Sequence, residues 1–142
     1  MRKLVDEEVP MDIVPTEGPP HRIPVRMKYD TCDPLAVRLD IPLPDGSTNS
    51  WRFARALLLD GLGHPCGEGD VTVSPMEQPY GERVLIRLRA NRQEALFAVV
   101  DRPLKAFLDR THTLVPFGRE QHHPCYWWHL DTELDSISRF SR

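Results

Sequence analysis

The chain has 142 residues, which suits one domain with a core that needs neither a metal nor a disulfide to hold it. At 40% hydrophobic and 27% charged it reads as an ordinary globular protein, and no apolar run approaches the roughly 18 residues of a membrane-spanning helix. The net charge of −3 already lies in the first twenty residues, where Arg2 and Lys3 face Asp6, Glu7, Glu8, Asp12 and Glu17. The remainder balances, so the chain as a whole offers little of the field that draws proteins to a phosphate backbone.

The N-terminal "MRKLVDEEVP" lacks the apolar stretch and small-residue cleavage site of an export signal. Three cysteines, Cys32, Cys66 and Cys125, are too few and too odd in number for a disulfide framework, and imply a reducing cytoplasm. Residues 1–22 form an acidic, proline-rich segment that includes an edge strand, with the main domain spanning 23–142. In that segment "VPMDIVP" puts Val9, Met11 and Ile13 on one face.

Alternation continues along the chain. "IPVRMKYD" opposes Val25, Met27 and Tyr29 to Arg26 and Lys28, and "LAVRLDIPL" opposes Val37, Leu39, Ile41 and Leu43 to Arg38 and Asp40. "PDGS" is a hairpin turn, since Asp-Gly tolerates positive φ, and "SWRF" opens another strand. "FARALLLDG" changes to helical spacing, with Phe53, Leu57 and Leu58 on one face and Gly61 as a left-handed C-terminal cap. "DVTVSP" and "RVLIRLRA" return to alternation. "EALFAVVD" is apolar on both faces and belongs inside a covered sheet. "RPLKAFLDRT" places Pro103 in a first turn and aligns Leu104, Phe107 and Leu108; "LDTELDSISRF" closes with a further helix from Leu130 to Phe140. Strands and helices cluster instead of alternating, which indicates an α+β fold with an antiparallel sheet and two or three helices.

"GHPCGEGD" contains three glycines and a proline in eight residues. Phosphate-cradling loops set their glycines ahead of a helix, whereas these follow one and precede a strand, so the segment is a tight corner. His64 and Cys66 in this corner, with His122, His123, Cys125 and His129 further on, are the metal candidates. Cys125 and His129 have a plausible zinc spacing and His64-x-Cys66 a poorer one; the set reads as loop residues near the surface, with no metal and no cofactor expected. A Cys-His hydrolase would need a base in reach of the thiol, which no spacing supplies. No catalytic residue is assigned.

Arg26, Lys28, Arg38, Arg87 and Arg89 could form a basic sheet surface for single-stranded nucleic acid. No aromatic platform shares their faces, so a solvated outer face and no nucleic-acid partner are expected. In "CYWWH" the adjacent Tyr126, Trp127 and Trp128 cannot all enter one core, and rings left outside suit a protein interface.

Four stretches, "YDTCDPLAVRLDI", "WRFARALLLDGLGHPCGEGDVTVSP", "LKAFLDRTHTLVPFGRE" and "LDTELDSI", together resemble the SsgA-like proteins of sporulating actinomycetes across about residues 29–138. The resemblance implies a whirly-like fold with a strongly curved antiparallel sheet, assembled as a trimer. It further implies a non-catalytic scaffold in sporulation-specific division, without membrane insertion, located in the cytoplasm at the septum. Its partners would be copies of itself, other division proteins and the tubulin-like FtsZ. A single-stranded nucleic-acid binder is the alternative from another class.

Overall fold

The computed structural model describes residues 2–67, 69–76 and 82–124. Seven strands form one antiparallel sheet: β1 (Leu4–Val14), β2 (His21–Asp30), β3 (Ala36–Pro42), β4 (Thr48–Ala54), β5 (Val71–Pro75), β6 (Arg83–Ala90) and β7 (Gln93–Val100). Helix α1 (Arg55–Asp60) follows β4 directly, and α2 (Asp101–Leu114) follows β7. A short 3-10 turn, Glu120–His122, comes after α2. The expected closing helix lies outside the described residues.

The order across the sheet is β4-β3-β2-β1-β7-β6-β5. The N-terminal strand is therefore the central one, and the expectation of an edge strand is corrected. Charge and proline are edge signatures, yet here they have another explanation. Pro10 stands directly opposite Pro24 in the β1–β2 ribbon. Neither proline has an N–H, so this cannot be a hydrogen-bonded pair, and the missing donors face outward toward the flanking strands. The flanking joints stop accordingly. β7 pairs with β1 over Asp12–Val14 alone, and β3 pairs with β2 over Arg26–Lys28 alone. A ten-pair ribbon held at each side by a three-pair joint lets the sheet curl into a half-barrel.

Period-2 alternation fills the inside of that curl. Val9, Met11, Val25, Met27, Tyr29, Val37 and Leu39 are all buried in one cluster, together with Leu104, Phe107 and Leu108 of α2. The helix carries no side-chain N-cap, so its docking rests on this apolar stripe. β7 is interior to the sheet as anticipated. The β3–β4 hairpin closes at Gly46 with φ +88°, where Gly46 N–H donates to Leu43 O at 3.0 Å. The β6–β7 turn has no glycine: Asn91 and Arg92 both take positive φ, 51° and 66°.

Gly61 departs from expectation. It is right-handed, with φ −67° and ψ −12°, so conformational freedom is not why glycine stands there. A Cβ at this position would collide with Val73 Cγ1 and lie 2.9 Å from Val73 O. Close packing of the α1 terminus on β5 excludes a side chain. Gly67 differs, with φ +104° and no room for a Cβ against Val71 O. Gly61→Ala is expected to destabilise the fold by about 1–3 kcal/mol, through displacement of β5. Thermal unfolding of the variant measures it, and an unchanged Tm would mean that the α1–β5 contact is loose.

Candidate functional site

The corner holds backbone geometry more than chemistry. Cys66 N–H donates to Val73 O at 2.8 Å and Cys66 O accepts from Val73 N–H at 2.9 Å, so the loop lies along β5. His64 is exposed on the same loop. Among the described residues no three of His, Cys, Asp and Glu stand close enough to hold a metal ion. Cys125, Tyr126, Trp127, Trp128 and His129 lie outside the described residues. Cys66 is a free thiol.

The most enclosed cation among the described residues is one that spacing alone does not single out. Arg55, the first residue of α1, is fully buried at 0% exposure. Its main-chain N–H donates to Leu35 O at 2.7 Å, which fixes the strand-to-helix junction. Its guanidinium reaches the end of α2: Nη1 donates to Val115 O at 2.7 Å and to Thr111 Oγ1 at 3.3 Å. Nη2 donates to Glu120 Oε2 at 2.5 Å. The guanidinium carbon also stands 4.9 Å from the Tyr29 ring centre and 4.8 Å from that of Phe117. Arginine suits this place because a planar fork can stack on rings while its edges donate.

The partners are placed by the same logic. Carbonyls at a helix C-terminus have no intrahelical donor, and Arg55 supplies one for Val115. Phe117 is held by its N–H, which donates to His112 Nδ1 at 3.0 Å, with the two rings 4.5 Å apart. Burial would raise the Glu120 carboxyl, but the hydrogen bond and charge of Arg55 outweigh it and hold the pKa below the usual carboxylate range. Burial pushes the Tyr29 hydroxyl upward, keeping it neutral while it donates to Pro34 O at 2.9 Å.

The outer sheet face is ionic, and its cations are paired with carboxylates, some of which serve two. Arg26 pairs with Asp6 at 2.7 Å, Arg22 with Asp12 at 3.0 Å, and Arg87 and Arg89 with Glu94 at 3.4 and 3.1 Å. Asp40 is the most enclosed member at 8% exposure. It accepts from Lys28 Nζ and Arg38 Nε, both at 2.8 Å, and from Ser50 Oγ at 2.6 Å. Each of the five cations considered for nucleic-acid binding thus has a carboxylate partner. A phosphate backbone would compete with those carboxylates for the same cations.

Comparison with known proteins converges on one family. The family described as "Streptomyces sporulation and cell division protein, SsgA" matches residues 23–120. The chain belongs to the SsgA family. This SsgA-family chain is 36% identical to the sporulation-specific cell division protein SsgB of Streptomyces coelicolor, over 96% of its own length and 97% of the relative's. It is 42% identical to SsgB of Salinispora tropica, over 71% and 73% respectively. Among solved structures, the SsgA-like sporulation-specific cell division protein of Thermobifida fusca superposes with a TM-score of 0.79 at 31% identity, covering 94% of each chain. A structure from work on SsgB mutations that correlate with longitudinal division during sporulation of Streptomyces coelicolor also gives 0.79, at 37% identity. It covers 87% of this chain and 97% of that one. The curled antiparallel sheet with its helices is thus the family fold. No helix among the described residues is long and apolar enough to cross a membrane.

Two predictions follow from the charged groups. Arg55→Lys keeps the charge but loses the fork and the stacking, and is expected to lower stability by about 2–3 kcal/mol, since one ammonium cannot reach Val115 O, Thr111 Oγ1 and Glu120 together and leaves a buried acceptor without its donor; denaturant unfolding that shows a loss under about 1 kcal/mol would refute the clamp. Asp40 concerns acid. Burial raises its pKa, but the three hydrogen bonds and the Arg38 charge prevail and bring it to about 2. A carboxylate depressed on folding contributes stability above its unfolded pKa of about 3.9 and loses it as pH falls toward 2. Asp40→Asn is expected to remove up to about 2 kcal/mol at pH 7 and much less at pH 2. A variant deficit that stays constant with pH would contradict this assignment.

Proposed function

We propose that this chain is a non-catalytic protein-interaction scaffold in sporulation-specific cell division and septum formation, which recruits FtsZ or the septal peptidoglycan machinery. The observation that carries the reading is the 36% identity across 96% of the chain to a sporulation-specific cell division protein. The chemistry of the described residues agrees with it. The buried Arg55 and the Asp40 network act on the chain's own groups, and both are engaged in holding the fold. In this reading the protein acts in the cytoplasm at the septum as a homo-oligomer, a trimer by family resemblance. Tyr126, Trp127 and Trp128 contribute rigid rings to a protein interface.

The test joins assembly to partner binding. Purified chain is expected to run as an oligomer in light scattering and to co-sediment with FtsZ polymers. Replacing Trp127 and Trp128 together by Ala is expected to weaken assembly. A monomer that ignores FtsZ and the other division-ring components would overturn the scaffold reading; a folded variant of unchanged mass would remove the aromatic interface alone.

A further inference from the structure

Where α2 ends, one side chain holds the following turn in place. Phe117 N–H donates to His112 Nδ1 at 3.0 Å, with the two rings 4.5 Å apart. The same Phe117 ring centre lies 4.8 Å from the guanidinium carbon of Arg55, which is wholly enclosed. The turn also borders a cavity of about 290 Å³, whose wall includes Leu35, Ala36 and Leu59 with Phe117, Gly118 and Glu120. Of the N–H groups in residues 116–119, only that of Phe117 reaches back to α2. Gly118 donates to Glu120 Oε2 at 3.4 Å and Arg119 to Pro116 O at 3.0 Å.

This bond depends on one proton. An imidazole accepts at Nδ1 only while that nitrogen keeps its lone pair, so the ring must be neutral with its proton on Nε2. Protonation would turn Nδ1 into a donor facing another donor. Histidine is the side chain whose charge changes between about pH 5 and 8, and His112 is exposed, so protons reach it without the fold opening. The charged groups around it, among the described residues, act in opposite directions. Asp109, one turn earlier on α2, and the carbonyl end of that helix favour the cation. Arg55, on the shared Phe117 ring, and Arg119, on the turn itself, oppose it. Glu120 is engaged with Arg55 and held below the usual carboxylate range, so it stays charged throughout. His122 and His123 follow it and titrate as well. These charges set the pH of the change but not its consequence, because an imidazolium has no lone pair to offer at Nδ1.

We propose that His112 is a pH-operated latch. Neutral, it holds residues 116–120 over the Arg55 clamp and the adjoining cavity; protonated, it releases Phe117 and the turn lifts. The device goes beyond the scaffold reading and does not rest on it. Amide hydrogen exchange of the ¹⁵N-labelled full chain tests it, with rates corrected for the intrinsic effect of pH. Protection of the Phe117 amide is expected to fall at least about fivefold between about pH 7.5 and about pH 5, while the sheet amides keep theirs. His112→Asn keeps a side-chain acceptor that does not titrate, and His112→Ala removes the acceptor altogether. Neither variant is expected to respond at Phe117 over this range, and the Ala variant is unprotected there at both ends. Constant protection in the unsubstituted chain would overturn the proposal. A response that survives in both variants would also overturn it, by moving the sensor to His122 or His123.

Discussion

A single buried cation joins the two halves of this chain. Arg55 begins α1, yet its guanidinium ends among groups some sixty residues later, at Val115 O and Glu120. Burying a charge is affordable only when its hydrogen bonds and a counter-charge are supplied inside. That requirement constrains everything nearby. Leu35 must offer its carbonyl, α2 must stop where Val115 leaves an acceptor, and the chain must turn after Phe117 to bring Glu120 back. The stacking on Tyr29 and Phe117 completes the enclosure with polarizable surfaces. One residue thus sets the angle between the strand-to-helix junction, the end of α2 and the turn that follows.

Curvature is controlled separately, by subtraction. The Pro10–Pro24 pair withdraws one donor from each side of the central ribbon, and both three-pair joints end near it. With a fully paired sheet the inner face would be flatter, and α2 could not sit against β1 and β7 while sharing their core. On the outside the curl brings cations and carboxylates of neighbouring strands into register. Arg26 meets Asp6, and Lys28 with Arg38 encloses Asp40. Exposed pairs of this kind add little stability singly; together they reduce the field of a face that otherwise looks basic.

Much of this was legible in the sequence because sheet burial has a period of two. Val25, Met27 and Tyr29, or Val37 and Leu39, needed only their spacing to be placed inside. The strand order was not legible, since charge and Pro10 imitate an edge and only the partner proline fourteen residues later reveals otherwise. The turn at Asn91 and Arg92 lacked the glycine that marks such turns. Gly61 was rightly placed at the helix end for the wrong reason, because the constraint is Val73, a residue distant in sequence. Arg55 left one trace: it stands three residues before Leu58, on the buried face of a six-residue helix. A cation on an apolar face asks for a partner, and here the partner could not be found by spacing.

The same contrast separates what is structural from what is available. Ion pairs on the outer face and the clamp at Arg55 are engaged within the chain, although Arg55 Nε and Arg87 Nε have no hydrogen-bond partner of their own. At the mouth of the curl the two margins of the sheet differ. There an indole donor lacks an acceptor, Leu43 remains open, and the adjoining strand has one unpaired margin. Evolutionary pressure against edge-to-edge aggregation is answered at β5 by the Cys66 loop and Pro75. Nothing among the described residues answers it at β4.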